Sequence, residues 1–108
     1  MGLVALMAIY PQESVADGFT GDDFLTWDRS AQDSYFQTSL TMAAIIATET
    51  NKPSGDCLAD WYLSPDADRD SRNTELRSII EQNAAFHPSS VIYLVLAEEC
   101  GPFIPPSD

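Results

Sequence analysis

The only histidine, His87, stands in Phe86-His87-Pro88-Ser89-Ser90, an imidazole beside two hydroxyls. Those groups are the raw material of a base-activated nucleophile, but such a site also needs an orienting third group. Sequence adjacency does not create triad geometry, and no Gly-x-Ser-x-Gly elbow occurs. The same residues fit a helix start, where Pro88 suits the first helical position and His87 can cap it. His87, Pro88 and Gly101 are therefore read as structural, and no catalytic residue is assigned. Asp66-Ala67-Asp68-Arg69-Asp70 alternates carboxylates as a calcium loop begins. The sixth position is Ser71 instead of the turning Gly, the twelfth is Arg77 instead of a bidentate Glu, and Arg69 and Arg72 neutralise the stretch. A solvated loop is expected there, with Asp70 and Ser71 helping to start the next helix.

Cys57 and Cys100 are the only cysteines, without CxxC spacing and with one His to join them, too few ligands for zinc. No metal or cofactor is expected. An even pair in so small a chain reads as a disulfide, the alternative being two buried free thiols in a cytosolic protein. Closing a loop of that length stabilises by about 4 kcal/mol on the chain-entropy model. In a domain stable by about 5 to 10 kcal/mol that is a large share.

Helical periodicity runs through the segments that must position these groups. Thr20 precedes Gly21-Asp22-Asp23-Phe24-Leu25, a capping signature for a short helix through about Trp27. Ser30-Ala31-Gln32-Asp33 repeats the signal, and Phe36, Leu40, Ala43 and Ala47 then recur at helical spacing to about Thr50. Ser54 can cap a third helix carrying Cys57, Leu58, Trp61 and Tyr62, limited by Pro65. A fourth, roughly Asn73 to Ala84, places Leu76, Ile79 and Ile80 on one face. The fifth opens at Pro88 and is apolar nearly all round from Val91 to Ala97, which predicts a central position. Gly101-Pro102 ends it. The spacing predicts an all-α bundle of about five short helices over residues 17–103, stapled by Cys57–Cys100, with 104–108 as a tail.

The 108 residues carry 17 acids against 5 Lys and Arg, a net charge of -12, and are 44% hydrophobic. Enough is apolar for one packed core, which argues against a disordered chain. Nucleic acid and anionic membrane surfaces are poor partners for such an acidic chain. Residues 3–10, Leu-Val-Ala-Leu-Met-Ala-Ile-Tyr, are too short to span a bilayer. With Ser14 and Ala16 at cleavage spacing they match a secretory leader, 1–16, although no Lys or Arg precedes Arg29. An ordinary N-terminal helix is the alternative. Removing 1–16 from 108 leaves 92 residues with 16 acids and 5 bases, a net charge of -11. The leader and the cysteine pair together predict a periplasmic or secreted location without membrane insertion. Trp61 and Tyr62, with Trp27 and Tyr35-Phe36, are either core or an exposed recognition patch. Asp66, Asp68, Asp70, Trp61 and Tyr62 are taken as candidate partner-binding residues.

Cys57, Leu76-x-x-Ile79-Ile80 and His87-Pro88-Ser89-Ser90-Val91-Ile92 before a helix ending in Cys100 resemble the small periplasmic immunity proteins that protect bacteria from type VI secretion amidase effectors. Gly21-Asp22-Asp23-Phe24-Leu25 adds to this and is also similar to the first helix of HdeA-type acid-stress chaperones. Together the similarities touch roughly residues 20 to 103. They imply a non-catalytic exported domain that holds another protein, either a secreted effector or an unfolded envelope client, and that can form a homodimer. An immunity protein would block the amidase cleft at neutral pH, with the Asp66–Asp70 carboxylates speeding encounter. A chaperone would instead be switched by acid, the mature chain passing from -11 to about +6 once its carboxylates and His87 are protonated.

Overall fold

A reciprocal capping box opens the described chain: the Thr20 amide donates to Asp23 Oδ2 at 3.1 Å and the Asp23 amide to Thr20 Oγ1 at 3.4 Å. It starts α1, Gly21–Phe24, which ends in a turn through Trp27, three residues short of the expected helix. The computed structural model describes residues 18–103. The expected leader, 1–16, and the tail, 104–108, lie outside the described residues.

Helix α2, Arg29–Thr50, is capped by Asp28, whose Oδ1 accepts the Ala31 amide at 2.9 Å. Ser30, expected to begin this helix, lies inside its first turn and donates its hydroxyl to the same Asp28 oxygen. The buried stripe is Gln32, Phe36, Leu40, Ala44 and Ala47, so Ala44 takes the place expected for Ala43. Helix α3, Lys52–Leu58, follows after Asn51 alone. Ser54, expected as its cap, is two residues inside it. A Cβ on Gly55 would stand 2.7 Å from the Thr48 amide nitrogen, so the α2–α3 corner can close this tightly only over glycine.

From α3 the backbone widens into a π-helical turn, Ala59–Leu63, closed by the Ser64 amide on Ala59 O at 2.8 Å. Helix α4, Arg69–Gln82, then starts four residues before the expected Asn73, because Asp68 caps it and not Asp70 or Ser71. The expected Asp66–Ser71 loop is thus helical from Arg69 onward. Helix α5 runs Pro88–Cys100 with Pro88 in its first turn.

Phe24, Phe36, Leu40, Leu58, Tyr62, Leu76, Ile80 and Leu96 are essentially inaccessible and join all five helices and the π turn in one core. All regular structure among the described residues is helical. Helix α5 departs from its expected central position: Val91, Ile92 and Leu96 are buried, but Leu94 is 66% exposed. It packs on α3 and α4, borders α2 through the Tyr35–Ser89 hydroxyl pair, and leaves Leu94 to solvent.

The disulfide Cys57–Cys100 joins α3 to the end of α5, with the two Cα atoms 5.6 Å apart. Around it Ser54 donates to Cys100 O at 2.8 Å, Asn51 to Pro102 O at 3.1 Å, and the Thr50 hydroxyl to Phe103 O. Gly101, at φ +88°, supplies the left-handed turn that brings this strap back. Phe103 is then buried with its ring 5.1 Å from that of Tyr93.

Candidate functional site

Trp61 and Tyr62 are core residues, 9% and 0% exposed, which corrects their reading as partner-contacting side chains. The Tyr62 hydroxyl donates to Asn73 Oδ1 at 2.6 Å, and burial pushes its pKa up. The end of the π turn leaves carbonyls without helical donors, and two arginines from α4 take them. Arg69 Nε donates to Tyr62 O at 3.3 Å and Arg72 Nε to Trp61 O at 3.2 Å. The Arg72 guanidinium also lies 4.5 Å from the centre of the Trp61 ring. Trp61 Nε1 is buried with no hydrogen-bond partner among the described residues.

Asp66, Asp68 and Asp70 are exposed. Asp68 is committed to the start of α4, its Oδ1 accepting the Ser71 amide at 3.1 Å and its Oδ2 the Ser71 hydroxyl at 2.9 Å. The Ser71 amide, then the Ser71 hydroxyl, hold its pKa below the ordinary carboxylate value. Among the described residues, no three His, Cys, Asp or Glu side chains are grouped as a metal site would require.

His87 is exposed and accepts the Ser89 amide on Nδ1 at 3.1 Å, the geometry of a helix cap. The neighbouring Ser89 hydroxyl is paired with the Tyr35 hydroxyl at 2.6 Å, and not with the imidazole. Pro88 is buried behind this cap.

The bases are spent mostly inside the fold. Arg77 pairs with Asp33 at 2.6 Å, while Lys52–Asp56 at 3.0 Å and Arg72–Glu75 at 3.6 Å are each local to one helix. Asp22, Asp60, Asp66, Asp70, Glu81, Glu98 and Glu99 are exposed and make no ion pair among the described residues. A partner therefore meets a surface of uncompensated carboxylate.

Two apolar grooves among the described residues interrupt that surface. Between α4 and α5 a groove of about 390 Å³ is lined by Ile79, Phe86, Val91, Leu94 and Val95, with Glu98 at its edge. Phe86 and Leu94 are 60% and 66% exposed there. Between α2 and α5 a second groove, about 310 Å³, is lined by Thr38, Met42, Ile46, Ile92, Tyr93 and Phe103 among others, none of them charged. Sequence reasoning assigned neither groove, because a helix apolar on every side looks central until its neighbours are known. Leu94 was indistinguishable from Leu96 by composition.

Comparison with protein-family models, curated proteins and solved structures finds no match to this chain. No helix among the described residues is long and apolar enough to cross a membrane.

Proposed function

We propose that this chain is an exported, non-catalytic helical protein of the periplasm that acts by holding another protein, as an immunity-type inhibitor of a secreted cell-wall amidase. The observation that carries the reading is the α4–α5 groove, where Phe86 and Leu94 are exposed beside Glu98 on a surface dominated by unpaired acids. Apolar anchors supply affinity, and the acidic surroundings steer a basic-rimmed cleft toward them. The disulfide and the leader-like N-terminus support export, and the resemblance to amidase immunity proteins supplies the partner class. Asp66 and Asp70 contribute to steering, a role that leaves Trp61 and Tyr62 out of the interface.

The test is whether an amidase-type effector is encoded beside this chain's gene, and whether the chain forms a complex with that amidase and inhibits it at neutral pH. Leu94→Glu should weaken the complex at least tenfold while the fold is retained. No complex with that amidase, or a complex indifferent to both Leu94→Glu and Phe86→Ser, overturns the proposal.

A second reading, an acid-stress chaperone of envelope clients, draws on Asp28 and Asp68, two carboxylates that cap helix starts and hold them more strongly when ionised. It predicts protection of a client from aggregation at pH 2 to 3 and none at pH 7.

A further inference from the structure

Helices α2 and α5 run side by side in the same direction and are tied at both ends. At one end the Tyr35 and Ser89 hydroxyls pair at 2.6 Å, and at the other the Thr50 hydroxyl donates to Phe103 O, just past α5. Between these ties the two helices leave the groove of about 310 Å³. Its α2 wall, Thr38 to Ile46, is about 12 Å long at 1.5 Å per residue. Ala43, Ile46, Ile92, Leu96 and Phe103 in its lining carry no polar side-chain atom, and Met42 and Ile46 are 56% and 40% exposed. The described chain ends at Phe103, in the wall of this groove and held by Thr50, one helical turn beyond Ile46. The residues that follow are Ile104-Pro105-Pro106-Ser107-Asp108.

We infer that residues 104–107 occupy this groove in their own chain, running back from Phe103 toward Ser89 and covering Met42 and Ile46. Backbone chemistry selects this occupant. An apolar groove penalises any peptide N–H that finds no acceptor there, and Pro105 and Pro106 have no N–H to strand. Each proline also restricts the residue before it to extended backbone, so Ile104 and Pro105 both continue the chain away from Phe103 without turning into a helix. A segment of that kind rises about 3.1 Å per residue, so four residues span about 12 Å, the length of the α2 wall. Aromatic side chains suit it, since proline-rich segments dock in aromatic-lined grooves at low entropic cost, and the Tyr93 and Phe103 rings both line this one. Charge agrees as well. Asp108 is the first charged residue after Glu99, and it arrives only where the length of the groove is used up. Because the segment starts in the groove's own wall, it meets the groove at an effective concentration on the order of mM, which a free partner of equal affinity does not match. The α4–α5 groove is then the one left open to a partner.

Nuclear Overhauser spectra of the full chain at neutral pH read the contact directly. Cross-peaks from the Ile104 methyls to those of Met42 and Ile46, and from the Pro105 or Pro106 ring protons to the Tyr93 ring, are expected at the same relative strength at every protein concentration. Ile104→Asp should release the segment and raise the emission of Nile red, an uncharged dye, several-fold while the helical circular dichroism stays that of the parent. Ile104→Val should not. Adding Ile46→Glu to Ile104→Asp should abolish the gain, which assigns it to this groove, whereas adding Leu94→Glu should leave the gain in place. Absence of the cross-peaks overturns the inference, as does an unchanged dye response in folded Ile104→Asp. Cross-peaks that strengthen with protein concentration place the segment in the groove of a second copy and overturn it equally. None of these readouts involves the amidase, so the inference can fail while the proposed effector binding stands, and the reverse.

Discussion

Arg77 reaches from α4 to place its Nε 2.6 Å from Gln32 Oε1 on α2, across 45 residues of sequence. The amide nitrogen of the same Gln32 donates to Phe24 O at 3.2 Å, which also accepts the Trp27 amide, and to Trp27 O at 3.1 Å, where α1 ends. One buried glutamine thus completes the α1–α2 corner and receives the cation that docks α4. Gln32→Ala should cost about 1 to 3 kcal/mol in urea unfolding, since it leaves the Arg77 Nε without an acceptor, although Asp33 still pairs the guanidinium, and takes the side-chain donor from Trp27 O. Gln32→Glu restores the acceptor for Arg77 but not the two donors, and should recover part of that loss. Equal stability of Gln32→Ala and the parent would show that water replaces these bonds at little cost.

The disulfide acts with a local clamp. Cys57→Ser should lower stability by about 2 to 5 kcal/mol, and reductant should lower the melting temperature of the parent to match. Because Ser54, Asn51 and Thr50 each hold a carbonyl of the 100–103 strap, the reduced chain should keep Phe103 buried. Near-ultraviolet circular dichroism reporting the Tyr93–Phe103 pair checks this, and loss of that signal on reduction would make the covalent bond the sole anchor of the strap.

Helix existence was legible in the chain because periodicity is local: Phe36, Leu40 and Ala47 mark one face before any tertiary contact is known. Helix starts were less so, since Asp28 and Ser30, or Asp68 and Asp70, offer the same capping chemistry two residues apart. Which acid wins depends on where the preceding turn delivers the backbone. The exposure of Leu94 was not legible, and for Trp61 the sequence left core and recognition patch both open. Both depend on which flank of a helix receives a neighbour, and periodicity alone does not say that for α5. The cation network of Arg69, Arg72 and Arg77 was hidden for a related reason. Its hydrogen bonds run to backbone carbonyls and to Gln32 and Asp33, 45 and 44 residues from Arg77, and only the Arg72–Glu75 pair lies at helical spacing.

His87 offers a direct test of its capping role against a catalytic one. Its Nδ1 accepts the Ser89 amide at 3.1 Å, so His87→Ala should lower stability by about 0.5 to 2 kcal/mol, and His87→Asn, which can accept the same bond, by less. Chemical denaturation measures both. An activity lost in His87→Ala and also in His87→Asn, with the stability of the parent retained, would reassign the imidazole to chemistry.

Acid should weaken the helix starts. The Ala31 amide and then the Ser30 hydroxyl lower the Asp28 pKa, and the Ser71 amide and hydroxyl lower that of Asp68. A carboxylate whose folded pKa lies below its unfolded value, about 3.9, contributes stability that is present above that value. The contribution is lost as pH falls through the folded pKa. Stability from these two caps should therefore be level above about pH 5 and decline below about pH 4, as protonated Asp gives up the charge that strengthens the bond. Asn caps a helix without titrating, so Asp28→Asn with Asp68→Asn should shift the acid midpoint of unfolding downward. An unchanged midpoint would place the acid response elsewhere. The same double variant separates the two functional readings: an acid-switched chaperone would lose client protection where its helices no longer open. An amidase inhibitor would bind unchanged at neutral pH, because neither cap titrates there.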